Sequence, residues 1–335
     1  MSINKSNLIS LPWLTAAARQ LQAPDRSARA AQALLIYGPR GTGRRRLAMW
    51  HAAGLLGGAH AAFEEFADSE PPAASDDSDA AGETLLLHPD FLALRPAAGK
   101  SAISIEAVRS LIDFLHLRSL RGGARVAAIW PADAMTMAAA NSLLKTLEEP
   151  PDGATIILVA DELSRLPPTI LSRCQRLRIA TPVRAQSLPW LLSQAPAVRW
   201  EPLLDLAGDA PIAALAMQQK GLAERFEAFA ADLDHLGARR DTPVAVAARW
   251  ATLELEVTLR WLYRRVAAEI RNTMLGSARA PLLSPAKGLT MRDQWGALRE
   301  TERMLRFPGK AVNVELQLAL LLRHWYPVGN TGNAG

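Results

Sequence analysis

The chain has 335 residues, too many for one ordinary hydrophobic core and suited to two or three domains. Nearly half the residues are apolar, aromatics are few, and Ala, Leu and Arg are abundant, which favours a helix-rich protein. Basic residues exceed acidic ones by only five, which fits work near nucleic acid without establishing binding, and the single Cys174 excludes an internal disulfide framework or a multi-cysteine metal site.

Met1 to Gln20 has no apolar stretch of signal-peptide type, and no run approaches the length of a membrane span, so a soluble cytoplasmic protein with no membrane partner is expected. The first strong signal is the apolar run Ala33-Leu34-Leu35-Ile36-Tyr37, entering the turn Gly38-Pro39-Arg40-Gly41-Thr42-Gly43. A helical pattern follows through Leu47, Ala48, Leu55 and Leu56, so the layout is strand, glycine loop, helix. From about 57 to 84 the chain is rich in Ala, Ser, Pro and acids and contains no Lys or Arg, the composition of a solvated insertion. Leu85 to Asp90 reads as a strand edge or turn. Ser104 is a candidate N-cap for a helix carrying Ile105, Val108, Ile112 and Leu115, with Gly122-Gly123 as its stop.

Arg125 to Trp130 reads as a buried strand ended by Pro131. Thr136 caps the next predicted helix, whose stripe is Ala140, Leu143, Leu144 and Leu147 and whose end is Pro150-Pro151. A further buried strand is predicted at Thr155 to Ala160, a short helix at Thr169 to Arg173 and a strand near Leu177 to Ile179. Alternating strands and helices imply a parallel sheet covered on both faces. Beyond Thr181-Pro182 only helical periodicity remains. The expected domains are 1–180, a small helical one at 181–218, a larger helical one at 219–327, and a tail at 328–335. The scattered tryptophans Trp190, Trp200, Trp250, Trp261, Trp295 and Trp325 lie in helical surroundings and read as packing residues.

A working phosphate loop reads Gly-x-x-x-x-Gly-Lys-Ser/Thr: the glycines let backbone amides face phosphate, the lysine reaches the outer phosphates and the hydroxyl binds magnesium. Here Gly38, Gly41 and Gly43 are in place, but Arg44 stands at the lysine and Arg45 at the hydroxyl. Arginine does not simply replace lysine in that cradle. Arg44, Arg45 and Arg46 also crowd a helix first turn, opposing the macrodipole by about 0.3–1 kcal/mol each. An anion or an acidic partner surface would offset them; a plain solvated basic turn is the alternative. The neighbouring strand should end in carboxylates for metal and water, but it ends in Trp130 and Pro131, and Asp133 falls three residues too late. Hydrolysis by this chain is not expected.

Asn141-Ser142-Leu143-Leu144-Lys145-Thr146-Leu147-Glu148-Glu149-Pro150-Pro151, followed by Leu171-Ser172-Arg173-Cys174, resembles the bacterial clamp-loader AAA+ subunits of DNA polymerase III. Pro12-Trp13-Leu14, His88-Pro89-Asp90 and Asn313-x-Glu315-Leu316 extend the likeness over nearly the whole chain. The resemblance implies an α/β AAA+ (P-loop NTPase-like) parallel sheet domain, a small helical lid domain and a C-terminal all-α collar. Within that family the broken nucleotide site is similar to the delta-prime branch rather than to tau/gamma. The resemblance further implies that Arg173, positioned by Ser172, acts as an arginine finger in trans on ATP held by a tau/gamma neighbour. The chain would assemble with tau/gamma and delta and help load the beta clamp onto primed DNA as part of a DNA polymerase holoenzyme. Lys145, Glu148 and Glu149 read as surface pairs, with a contact to primer-template DNA as the functional alternative.

Two departures from the family stand out. The four-cysteine zinc module of many members is replaced by the acidic segment, and His51, His60 and Glu64 are too loosely spaced to substitute, so no zinc or other cofactor is expected. The arginine that senses nucleotide after a Gly-Ser pair is absent from Gly208-Asp209-Ala210-Pro211. The sequence opposes two other function classes. A divergent ATPase using Arg44 is opposed by Trp130-Pro131, and a stand-alone DNA binder would need a concentrated basic stripe that this chain lacks.

Overall fold

The computed structural model describes residues 11–22, 32–57, 83–97, 100–120, 122–275, 290–306 and 313–326. The acidic segment apart from its ends, with His60 and Glu64, and the tail at 328–335 lie outside them. The chain forms two compact units, one spanning 1–197 with 209–213, the other 198–208 with 214–335. The division between them falls inside the stretch 181–218 that the sequence suggests as a separate helical domain.

The first unit is built on six strands: β1 (Ala33–Tyr37), β2 (Glu83–His88), β3 (Phe91–Arg95), β4 (Arg125–Ile129), β5 (Ala154–Ala160) and β6 (Gln175–Arg178). Their order is β2-β3-β4-β5-β1-β6. The β2–β3 pair is antiparallel and every other pair is parallel. Its described α-helices are α1 (Thr15–Gln22), α2 (Arg44–Leu55), α3 (Ile105–His116), α4 (Met137–Glu148), α5 (Pro168–Leu171), α6 (Arg184–Gln194) and the start of α8 (Pro211–Gln219). Side chains alternate faces along a strand. Leu35, Leu94, Ala127, Ile129, Ile156 and Leu158 form one core with Val108 and Leu111 of α3 and Leu143 of α4. The intervening Leu34, Ile36, Ala128, Ile157 and Val159 are equally buried, and α2 packs against β1, β4 and β5. Burial on both faces explains why these strands read as continuous apolar runs. The expected α/β class is the observed one.

The predicted caps form: Ser104 Oγ accepts from the Ala107 amide at 3.4 Å, and Thr136 Oγ1 from the Ala139 amide at 3.2 Å. One local expectation needs correction. Helix α3 stops at His116, six residues before Gly122: Leu117 turns to extended backbone, and the Phe114 carbonyl of the last turn is bonded by a side chain rather than by a glycine turn. Arg125 donates Nη1 to Phe114 O at 3.0 Å and Nη2 to Arg118 O. The strand edge or turn expected at Leu85 to Asp90 is the end of β2 and the turn into β3, and β3 is wholly buried.

The second unit is helical throughout its described residues: α7 (Trp200–Ala207), the rest of α8 (Pro211–Gln219), α9 (Leu222–Gly237), α10 (Pro243–Ala251), α11 (Leu255–Leu275), α12 (Met291–Arg306) and α13 (Val314–Leu322). Helix α10 packs on α13, and α11 on α12. Phe226 and Phe229 of α9 form one aromatic cluster with Trp250 and Trp261, its paired ring centroids 4.7–6.2 Å apart. Trp250 Nε1 donates to Asp232 at 2.8 Å, so its polar edge is satisfied as well as its apolar faces. Trp190, Trp200 and Trp325 are buried too, whereas Trp295 is exposed. Asn313 caps α13 by accepting from the Leu316 amide at 3.0 Å, a structural reason for Asn at that position. No described helix is long and apolar enough to cross a membrane.

Candidate functional site

In a parallel sheet, ligand-binding loops gather at the carboxyl edge of the strands. Three segments meet that edge here. The glycine loop follows β1, Asp161 follows β5, and Trp130-Pro131 follow β4, with Tyr37 in register with Ala160 and Ile129 with Leu158.

Gly38, Gly41 and Gly43 have φ of 145°, 76° and 93°, which favour glycine over any side chain. The loop is held from several directions. Trp13 Nε1 donates to Thr42 O at 2.9 Å, and Thr42 Oγ1 to Pro39 O at 2.8 Å. The Ile212 amide at the start of α8 donates to Gly41 O at 3.0 Å. Leu11 and Leu14 lie against Gly43, while Trp13 stacks edge-on against Trp190. In the segment Gly208-Asp209-Ala210-Pro211 the Asp209 carboxylate accepts from Arg184 Nε at 2.6 Å.

Arg44 is not a solvated residue of a basic turn. Its side chain is 6% exposed; Nη1 donates to Ala160 O and Nη2 to Asp161 Oδ1 at 2.6 Å. Arg40 Nε donates to the other oxygen, Asp161 Oδ2. Asp161, 17% exposed, is in turn fixed through its amide, which donates to Asp133 Oδ1 at 2.9 Å. Burial alone would raise the Asp161 pKa, but the charges and hydrogen bonds of Arg44 and Arg40 outweigh it and hold the carboxyl below its ordinary value. Arg45 is exposed.

These residues do not fit magnesium-ATP. Arg44 turns to a carboxylate of its own chain, Arg45 has no hydroxyl, and the β4 end offers a buried Trp130 and Pro131, neither of which ligates metal. Asp133, the nearest carboxylate after that strand, is engaged by the Asp161 amide. His51 is half-buried on α2, and burial lowers its pKa. Among the described residues no three His, Cys, Asp or Glu side chains are arranged to hold a metal ion.

Arg173 lies elsewhere. It follows α5 and precedes β6, whose first residue, Gln175, is in register with Leu34 near the start of β1. The glycine loop begins after the other end of β1, about 13 Å of extended strand away. Arg173 therefore sits at the amino edge of the sheet, opposite its own loop. Its side chain, 31% exposed, donates Nε to Glu148 Oε1 at 2.7 Å and Nη2 to the same oxygen. Nη1 reaches Thr169 O at 3.0 Å and Ser172 Oγ at 3.3 Å. Cys174, one residue on, is buried in the sheet core, and burial pushes its thiol pKa up to about 11.

A family model described as "DNA polymerase III, delta subunit" matches residues 13–182, from Trp13 beside the loop to the end of the sheet. A delta-prime subunit of DNA polymerase III from Pseudomonas aeruginosa is 32% identical over 288 residues, covering 84% of this chain and 81% of that one. The chain belongs to the DNA polymerase III delta-prime family. The Escherichia coli delta-prime subunit is 39% identical over 137 residues, 39% of this chain and 40% of its own length. The tau subunit of the same organism is 34% identical over 89 residues, 27% of this chain and 14% of its length. As a delta-prime family member the chain carries both motifs read from its sequence, and the fold separates them to opposite edges of one sheet. Sequence reasoning missed Asp161 and Arg40. The available signal was positional: a carboxylate directly after the strand that pairs with β1.

Proposed function

We propose that this chain is a non-hydrolysing clamp-loader subunit that lends Arg173 to a neighbour's ATP site. In this reading it assembles with tau/gamma and delta subunits through the helices of about 219–327 and helps place the beta clamp on primed DNA. The observation that carries the reading is the position of Arg173. It stands at the sheet edge opposite its own loop, so a phosphate that it meets belongs to another subunit. The closed loop supports the same conclusion from the other side, since Arg44 is engaged by Asp161. Glu148 now holds Arg173, and exposed pairs of this kind contribute only about 0–1 kcal/mol, so exchange for a phosphate is energetically easy.

The test is ATPase turnover of a reconstituted tau/gamma, delta and delta-prime complex with beta clamp and primed DNA, comparing wild type with Arg173→Ala. The isolated chain is inert. The variant assembles normally and turns over slower by about tenfold or more, arginine fingers elsewhere supplying roughly 10³–10⁵. Hydrolysis by the isolated chain, or unchanged turnover in the variant complex, would sink the mechanism.

A further inference from the structure

The carboxylate of Asp161 has no role in the proposed trans mechanism, yet it is the most heavily engaged acid beside the loop. It receives both oxygens' worth of guanidinium donation, from Arg44 on Oδ1 and from Arg40 on Oδ2. Both arginines belong to the glycine loop or the first turn after it, where a phosphate-binding chain directs its positive charge outward to a ligand. Arg44 is buried, and its Nε has no hydrogen-bond partner, so the group is held in place by charge pairing rather than by full satisfaction of its donors. Asp161 is pinned from behind by its amide to Asp133, the acid of the 3-10 turn after β4. The opposing side of the loop is closed by α8, whose Ile212 amide holds Gly41 O and whose Ala213 lies directly over Gly41.

We propose that Asp161 is the resident anion of this loop: its carboxylate takes up the charge of Arg44 and Arg40 that would otherwise be offered to a phosphate chain. The loop is thus closed to nucleotide by a side chain of the same molecule, in addition to lacking the groups for hydrolysis. Removing the carboxylate leaves two arginines, one buried, without their counter-charge. The vacated position is a latent site for a diphosphate group, either free pyrophosphate or the diphosphate of a nucleotide. This inference rests on the loop alone and stands or falls independently of the Arg173 reading.

The experiment uses the full chain as wild type, Asp161→Ala, Asp161→Asn and the double variant Arg44→Ala with Asp161→Ala. Thermal melting and equilibrium dialysis are followed with sodium pyrophosphate, with ADP, and with sodium chloride at matched ionic strength. Both single variants melt below wild type. Millimolar pyrophosphate restores several degrees to them while moving wild type little, and they bind it at least tenfold more tightly. The double variant, lacking Arg44, loses that gain. ADP binding alongside pyrophosphate assigns the site to a nucleotide's diphosphate, and pyrophosphate binding alone assigns it to the free anion; either supports the proposal. Equal binding by wild type, no anion response in either single variant, the same response to chloride, or a response that survives in the double variant overturns it. Asp161→Asn keeps the shape of the side chain, so the question is answered even if Asp161→Ala does not fold.

Discussion

At Asp161 opposing influences set the acidity. Burial favours the neutral acid, whereas Arg44 and Arg40 favour the carboxylate and prevail, leaving the folded-state pKa below the ordinary value. A carboxyl whose pKa is depressed by folding contributes stability that is fully present above its unfolded pKa, about 3.9, and is lost as pH falls through the lower folded value. The stability gap between wild type and Asp161→Asn is therefore constant near neutrality and narrows below about pH 4, readable from urea denaturation at a series of pH values. A gap that widens on acidification would mean that the pair does not govern this carboxyl. The same logic of buried pairing accounts for His88-Pro89-Asp90. Asp90 is buried, accepts from the Leu120 amide at 2.9 Å and Ser119 Oγ at 3.0 Å, and lies 3.3 Å from Arg125 Nη2, while its own amide donates to His88 Nδ1 at 3.1 Å. That triplet is a structural junction. Its residue types were plain in the sequence, but its partners lie some thirty positions on, beyond the reach of local pattern.

Elements were legible where a local rule governs them. The glycine loop, the serine and threonine caps of α3 and α4, and the strands β1, β4 and β5 follow from nearest-neighbour chemistry and apolar runs. Strand β3 and the true end of α3 were not: β3 is defined by its pairing with β2 and β4, and the α3 end depends on Arg125 from another strand. The loop glycines yield a matched test. At Gly41 the left-handed φ of 76° disfavours a side chain by about 1–2 kcal/mol, and a Cβ there would lie 2.5 Å from that of Ala213. At Gly54, inside α2, a Cβ meets nothing within 4 Å, and alanine favours helix by about 0.5–1 kcal/mol. Gly41→Ala is thus expected to lower the melting temperature and Gly54→Ala to hold or raise it. Equal effects at the two positions would show that the loop does not need its backbone conformation or its contact with α8.

The whole first unit turns on one topological fact that the sequence alone did not contain: which strands are neighbours. Reading the chain in order places Asp161 well over a hundred residues from Arg44, and only the β5–β1 pairing brings them together. The same sheet keeps Arg173 apart from that cluster, since β6 enters beside the start of β1 while the loop leaves from its end. Motifs could therefore be recognised in the sequence, but not their division into a closed loop on one edge and an arginine corner on the other. That division carries its own expectation. Changes at positions more than about 7–10 Å apart, with no shared partner, add to within about 0.3–0.5 kcal/mol. Arg173 is bonded to Glu148, Thr169 and Ser172, whereas Asp161 is bonded to Arg40, Arg44 and Asp133. The destabilisation of the double variant Asp161→Asn with Arg173→Ala, measured by urea denaturation, should equal the sum of the two single effects within that margin. A coupling above about 1 kcal/mol would mean that the two edges communicate through the sheet, and Arg173 would then be sensitive to the state of its own loop as well as to a neighbour's phosphate.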